Sequence, residues 1–362
     1  MARRFRVGVI GFAHMHVNEL VERFAATGRC DFVAVADTET ESRIEVEGSR
    51  RANLARARGA PGGPRLFGDW RAMLAEVGMD ILIFCPEISR HAEVAEAAAG
   101  RGIHLVTEKP LAGSVADADR MIAAAERAGV ALVTNWPITW RPAVRRVKEI
   151  VESGEIGAVV QFRWRNMASL GPLAHGSLHP GATTIGLVSE AEKAGEWWHQ
   201  KAAGGGVLLD YCCYGACLAA WMVGMPVEVR GMAARLMSPG DAEDNASLLL
   251  RFERAVGVIE ASWTSFHNGV ANGPIVMGMH GTVVVDGAEV KIFAERGSVV
   301  PSRVELGEAL RVGRATIGEE VLHHIETGEA LHPTLAVGLN RQAVVILDAG
   351  RRAAASGMAV VL

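Results

Sequence analysis

Through about residue 134, compact apolar runs alternate with segments whose apolar residues recur at helical spacing. FRVGVIGF, ending at Phe12, has the pattern of a strand, and the stretch from His14 to about Thr27 that of a helix. DFVAVAD is a second strand, ending at Asp37, and a polar helix rich in Arg and Glu follows it before the turn material GAPGGP. DILIFCP reads as a buried strand, RHAEVAEAAAGRG as a helix stopped by glycine, and IHLVTEKP as the next strand. SVADADRMIAAAERAG is a helix with Ser114 as N-cap, and VALVTNW is a strand. This rhythm predicts a parallel sheet with helices on both faces. A helix near 142–153 then leads to the strand AVVQFRWR, a loop-rich region from Ala168 to Gly206, and the helix beginning near Gly206. VEVRGMAARLM, ASLLLRFE, AVGVIEASW, GPIVMGMHG, TVVVDG and AEVKIF follow without helices between them, as in an antiparallel sheet, and an amphipathic helix closes the chain. The expected fold is therefore α/β: a parallel sheet with helices on both faces over residues 1–132, then an α/β domain with a predominantly antiparallel sheet over 133–362.

Composition narrows the function without choosing it. The 362 residues suit two domains, and 41 acidic against 37 basic residues give a formal net charge of −4, so neither nucleic acid nor an anionic membrane is an expected partner. Arg50, Arg51, Arg56 and Arg58 are interleaved with alanines and read as a solvated helix face. The N-terminus reads as the start of a strand rather than a signal peptide, and no apolar run approaches about 18 residues, so a cytoplasmic location is expected. Five cysteines, an odd number, also fit a reducing compartment.

Candidate chemistry gathers at the strand ends. Gly11 stands at the first strand–helix turn in a G-x-A-x-x-H version of the dinucleotide fingerprint, with Ala13 and His16 in the later glycine positions. Asp37 ends the second strand, where an acid accepts from ribose hydroxyls and repels a 2′-phosphate, favouring NAD over NADP. Lys109 follows a strand that ends beside the cofactor crevice, before Pro110. In GGGVLLDYCCYGACLAAWMVG, residues 204–224, Asp210 and Tyr214 are spaced to share a helix face, and the glycines let the backbone approach substrate or cofactor. Tyr214 can exchange a proton with a carbonyl or hydroxyl oxygen if a cation such as Lys109 lowers its pKa. Cys212, Cys213 and Cys217 lack paired metal-ligand spacing, His175 and His179 lack a nameable carboxylate partner, and no metal is expected. The loop carrying these two histidines with Trp197, Trp198 and His199 could wall a substrate pocket.

The stretches VGVIG, CPEISRHAEVAEAAAGRGIHLVTEKPLAG, ESGEIGAVV and GGGVLLDYCCYG resemble the family of glucose–fructose oxidoreductase and inositol dehydrogenase, the Gfo/Idh/MocA family, over most of the chain. The resemblance implies an N-terminal Rossmann dinucleotide-binding domain followed by an α/β substrate-binding and oligomerisation domain with a large open sheet. It also implies NAD(P)-dependent oxidation or reduction of sugars, polyols and related carbonyl compounds, with Lys109 catalytic or orienting the substrate, Asp210 in the site, and His91 matching a common histidine of the family. Where the family often carries a histidine this chain has Tyr214, as some members do, and where a further aspartate is often found it has Cys217, which sets it apart from cyclitol-type activity. The expected cofactor contacts are Gly11, Phe12, Ala13, His14, Asp37, Pro86, His91, Glu108 and Lys109, and the expected substrate contacts are Lys109, Trp136, His179, Asp210 and Tyr214. An uncovered sheet face predicts a homodimer or homotetramer. The competing readings are a non-catalytic sugar sensor on the same fold and an NAD-dependent glycoside-cleaving enzyme.

Overall fold

The computed structural model describes residues 3–38, 44, 48–167, 171–172, 188–265 and 269–362. The first unit runs β1 (Phe5–Phe12), α1 (His16–Ala26), β2 (Cys30–Ala36), α2 (Arg50–Ala57), β3 (Arg65–Phe67), α3 (Trp70–Glu76), β4 (Ile81–Cys85), α4 (His91–Ala99), β5 (His104–Glu108), α5 (Val115–Ala128) and β6 (Leu132–Asn135). Its sheet has the order β3-β2-β1-β4-β5-β6, with every pairing parallel. Such a sheet must be covered on both faces, and apolar clusters around Leu82 and Phe84 on one side and Val7 and Ile83 on the other do so. Ser114 caps α5 by accepting from the Asp117 N–H, as its spacing predicts. Between the turn at 59–64 and β4 stand β3 and α3, elements too short to show a period of their own in the sequence.

The second unit contains α6 (Pro142–Glu152), β7 (Val159–Met167), α7 (Glu190–Gly195), α8 (Val207–Asp210), α9 (Cys212–Met222), β8 (Glu228–Ala234), β9 (Asn245–Arg251), β10 (Val256–Ser262), β11 (Ile275–Gly278), β12 (Thr282–Asp286), β13 (Glu289–Phe293) and β14 (Arg303–Leu306). The chain closes with α10 (Ile317–Thr327), α11 (Val337–Ser356) and β15 (Val360–Val361). Nine strands form one sheet, ordered β14-β13-β12-β11-β7-β10-β9-β8-β15, antiparallel except for the central β7–β10 pair. Along β9 the burial alternates residue by residue, so one face packs under helices while Leu249 and its neighbour Val256 on β10 stay exposed.

Sequence order and spatial order part company at two places. The expected boundary at 132 falls at the first residue of β6, whose pairing with β5 keeps the chain in the first sheet through Asn135. The C-terminal helices then return: Ile317, Val321 and Leu322 of α10 join the core of the first unit beside Leu20 and Phe24, and α11 packs on α5, β6, α9 and β8. No single helix among the described residues is long and apolar enough to cross a membrane.

Contact between α11 and the sheet depends on missing side chains. A Cβ on Gly231 of β8 would stand 2.5 Å from the Gly350 carbonyl oxygen, and one on Gly350 would stand 2.7 Å from Leu248 Cδ2. Gly350→Val should therefore push α11 off the sheet and destabilise the fold by about 1–3 kcal/mol. Urea unfolding measures this, and an unchanged midpoint and slope would refute it.

Candidate active site

The carboxyl ends of β1, β2, β4 and β5 lie side by side, which is where an open parallel sheet presents its ligand crevice. Gly11 (φ 79°) makes the turn out of β1, and any Cβ there would lie 2.4 Å from the Pro86 nitrogen. Both conformation and contact thus exclude a side chain. The Ala13 N–H donates to the Cys85 carbonyl at 2.9 Å, binding the turn to the end of β4. Met15 caps α1 without a side-chain hydrogen bond.

Asp37 is buried at the end of β2, and its Oδ1 accepts from the N–H groups of Phe12 at 3.2 Å and Thr38 at 2.8 Å. It also accepts from Arg50 Nη1 at 2.7 Å, while Arg50 Nη2 pairs with Glu87. Burial raises the Asp37 pKa and Arg50 opposes the rise. The solvated arginine face expected on α2 is therefore only part of the truth: Arg51, Arg56 and Arg58 are exposed, but Arg50 is buried. Ser49 caps α2 and sets its first residue against the ends of β2 and β4, a placement that periodicity along the helix does not reveal.

Lys109 and Asp210 form the centre of the site. They are 3% and 5% exposed, and Lys109 Nζ donates to Asp210 Oδ1 at 2.5 Å and to the Asp210 carbonyl oxygen at 2.9 Å. The second bond exists because the helix is broken. Asp210 ends α8, Cys212 begins α9, and the segment Lys201–Asp210 meets α9 at 57°. The Tyr214 N–H reaches Tyr211 rather than Asp210, which leaves the Asp210 carbonyl to Lys109 and to the Cys213 thiol, at 3.0 Å. Burial acts to lower the Lys109 pKa, but the Asp210 carboxylate overrides it and the ammonium is held well above its ordinary 10.5. Burial likewise acts to raise the Asp210 pKa, and Lys109 overrides it, holding the carboxyl below its ordinary range.

The single-helix basis for pairing Asp210 with Tyr214 is thus corrected, yet both side chains meet Lys109. Its ammonium lies 5.0 Å from the centre of the Tyr214 ring, a cation–π distance. Trp164 stacks on that ring at 6.1 Å and Trp136 meets it edge-on at 5.4 Å. Burial raises the Tyr214 pKa well above 10 and Lys109 only partly opposes it, so the phenol is not acidified by the cation but kept protonated.

A second polar layer lies beside the first. His16 opens α1, and its Nδ1 is 2.6 Å from Glu108 Oε1, while Asn135 Nδ2 donates to Glu108 Oε2 at 3.0 Å. His16 therefore engages the end of β5, beyond filling the space a third glycine would leave. His14 Nδ1 accepts the His16 N–H at 3.1 Å, and His14 Nε2 is 3.7 Å from Asp210 Oδ1. Burial, and then His16, depress the His14 pKa from 6.5 to about 3. Burial acts to raise the Glu108 pKa, but His16 and Lys109 outweigh it and hold it at about 2.

Other expected contacts fall differently. Trp136 is fully buried and donates its indole N–H to Asn340 Oδ1 of α11 at 2.5 Å, so it backs Tyr214 rather than lining open space. His91, also buried, sets Nδ1 3.1 Å from the Leu111 carbonyl and braces the segment after Lys109. The glycine triplet is closely approached by other parts of the protein. A Cβ on Gly205 would strike the Trp197 carbonyl, and Gly206 (φ 109°) packs against Glu243. Trp197 and Trp198 are buried over His14, and Trp197 Nε1 donates to the Ala13 carbonyl at 2.8 Å. The cysteines of α9 are buried free thiols. His175 and His179 lie outside the described residues.

With this geometry in view, comparison with known proteins decides the family. Residues 5–136 match the model of the oxidoreductase family with an NAD-binding Rossmann fold, and residues 144–299 match the GFO/IDH/MocA C-terminal domain. The chain belongs to the Gfo/Idh/MocA family of oxidoreductases. It is similar to levoglucosan dehydrogenase of Pseudarthrobacter phenanthrenivorans, 26% identical across 78% of this chain and 72% of that one. It is also similar to dTDP-3,4-didehydro-2,6-dideoxy-α-D-glucose 3-reductase of Streptomyces violaceoruber, 24% identical across 79% and 74%. A D-apiose dehydrogenase of Paraburkholderia graminis is 31% identical, but over 43% of this chain and 38% of its own length. Among solved structures, the WlbA dehydrogenase of Bordetella pertussis, in complex with NADH and UDP-GlcNAcA, shares the fold with a TM-score of 0.76 at 21% identity, over 99% of each chain.

The donors of this Gfo/Idh/MocA chain fit a dinucleotide: α1 opens without a side-chain cap, a carboxylate stands at the end of β2, and an ammonium stands beyond β5. The buried imidazole also fixes a pH dependence. The unfolded chain protonates His14 near 6.5, whereas the folded chain resists until about pH 3. Between those values the unfolded state binds the extra proton, so His14's contribution to stability falls as pH falls. Urea unfolding across this window should show a steeper decline for the wild type than for His14→Gln; equal slopes would exclude the contribution.

Proposed function

We propose that this Gfo/Idh/MocA protein is an NAD-dependent dehydrogenase or reductase acting on a sugar, polyol or related carbonyl compound. The supporting observation is the enclosed Lys109–Asp210 pair beyond β5 with the protonated Tyr214 phenol beside it. When bound, the nicotinamide accepts or supplies the hydride. In this reading Lys109 directs its N–H groups at the substrate oxygen, and Asp210 holds the ammonium in place and charged. In the reducing direction Tyr214 gives its hydroxyl proton to the oxygen of the carbonyl being reduced, and Lys109 stabilises the phenolate left behind. Both groups rest in their protonated states, which favours reduction as the readier direction. Trp136 and Trp164 keep the phenol oriented. The substrate class draws on the relatives named for anhydrosugar and deoxysugar substrates.

NAD is favoured over NADP because Asp37 meets the adenosine ribose, although Arg50 offsets part of its repulsion toward a 2′-phosphate. The exposed sheet face around Leu249 and Val256 is assigned to a second copy of the chain, giving a dimer or tetramer. Five buried free thiols suit a reducing cytoplasm.

A panel of keto sugars, sugars and polyols, read by NADH absorbance with NADPH in parallel, tests the reading. Turnover with a member of the panel and tighter binding of NADH are expected; silence across the panel, or tighter NADPH binding, counts against it. Tyr214→Phe and Lys109→Met should each lower turnover by about 10²–10⁴-fold with NADH affinity nearly unchanged. Wild-type turnover of Tyr214→Phe would remove the phenol from proton transfer. Light scattering should give a multiple of 38.5 kDa, and a monomer would refute the pairing of sheet faces.

A further inference from the structure

The proton chemistry proposed for Lys109, Asp210 and Tyr214 leaves the neighbouring cluster of His14, His16 and Glu108 without a role of its own. Their candidate ligand atoms, one from each residue, all lie within 4.8 Å of one another and all three residues are buried. Two imidazoles and one carboxylate are the donor set of catalytic zinc sites and of facial triads that hold divalent iron. In His14 and Glu108 the remaining polar atoms are tied in ways that aim the donors inward. His14 Nδ1 is taken by the His16 N–H, which leaves Nε2 to ligate. Asn135 holds Glu108 Oε2, which leaves Oε1 facing His16. Such outer bonds orient ligands in metal sites. A tetrahedral ion with ligand bonds of about 2.0–2.2 Å separates its donors by roughly 3.4 Å. His16 Nδ1 and Glu108 Oε1, 2.6 Å apart in a hydrogen bond, therefore move apart and release their shared proton as the ion enters, while donors up to 4.8 Å apart draw together by an ångström or so. Asp210 Oδ1 lies 3.7 Å from His14 Nε2 and 2.5 Å from Lys109 Nζ, so a carboxylate links the His14 donor to the ammonium and moderates the ammonium's repulsion of an ion.

We propose that His14, His16 and Glu108 bind one divalent transition-metal ion of the zinc type, and that this ion and a dinucleotide exclude each other. The nitrogen-rich set selects zinc, cobalt or nickel over magnesium and calcium, which prefer all-oxygen shells. Exclusion follows from position. His14 and His16 belong to the turn between β1 and α1, Glu108 ends β5, and Trp197 and Trp198 pack over His14. An ion gripping all three fastens the turn to the end of β5 across the ground the dinucleotide would occupy. The site is thus inhibitory, and the hydride transfer proposed above requires no metal. Only the exclusion rests on the dinucleotide reading.

Tag-free full-length protein, stripped with a chelator, is titrated with Co²⁺. About one ion per chain, with the visible absorption of a four- or five-coordinate site, is expected. His16→Ala and Glu108→Gln should abolish the absorption. Asn135→Ala, which removes only the outer bond to Glu108, should weaken uptake by about 10–100-fold and serves as the second variant if a ligand substitution fails to fold. Cys213→Ser should leave uptake unchanged. Absence of the cobalt spectrum, uptake retained in His16→Ala, or uptake lost in Cys213→Ser would overturn the site. Zn²⁺ should displace NADH in a fluorescence titration, and NADH affinity unaltered at saturating Zn²⁺ would overturn the exclusion. Cobalt uptake by a protein that fails to bind NADH would support the site while refuting both the exclusion and the dinucleotide reading.

Discussion

The buried pair of Lys109 and Asp210 is the constraint around which the molecule is arranged. Removing an ammonium and a carboxylate from water is costly, and the pair is tolerable only when geometry and further hydrogen bonds compensate. The chain supplies these at a definite expense to its own regularity. The helix that carries Asp210 breaks at Tyr211, and the carbonyl freed by the break becomes the second acceptor for Lys109. Tyr214, held between Trp136 and Trp164, offers its ring face to the same ammonium. Trp136 in turn depends on Asn340 from α11, so the last long helix of the chain steadies a ring at its centre.

The same solution recurs along the strand ends. Arg50 meets Asp37 and Glu87, His16 meets Glu108, and Lys109 meets Asp210. Each of these buried acids has a nitrogen partner drawn from another part of the chain before any ligand arrives. A ligand that enters must exchange places with, or add to, bonds already made. Asp37 has one oxygen already engaged threefold, and the histidines of the first turn interact with each other and with the end of β5.

Much of the site was legible because strand ends announce themselves. Gly11, Asp37, Glu108 and Lys109 each close an apolar run, and in a parallel sheet all such ends share one edge. Arg50 was hidden because its neighbours Arg51, Arg56 and Arg58 are solvated, and what singles it out is a contact with strands distant in the chain. The glycine triplet was visible, but not what presses on it: the close neighbours are the Trp197 carbonyl and Glu243. Trp136 and His91 were recognisable as residues near the site, whereas their burial and their bonds to Asn340 and Leu111 fit them for bracing.

By itself the sequence determined the alternation of strand and helix through the first sheet, the run of strands in the second, the cap at Ser114, and the gathering of acids and a lysine at strand ends. These follow from periodicity and turn chemistry, which act over a few residues and are written locally. Tertiary structure alone decided the break at Tyr211, the return of α10 and α11 onto the first unit, and which buried charge meets which. Those outcomes depend on atoms far apart in the chain being brought together where water is excluded. There an unpaired charge is untenable, and the partner that relieves it is chosen by proximity in space rather than by position in sequence.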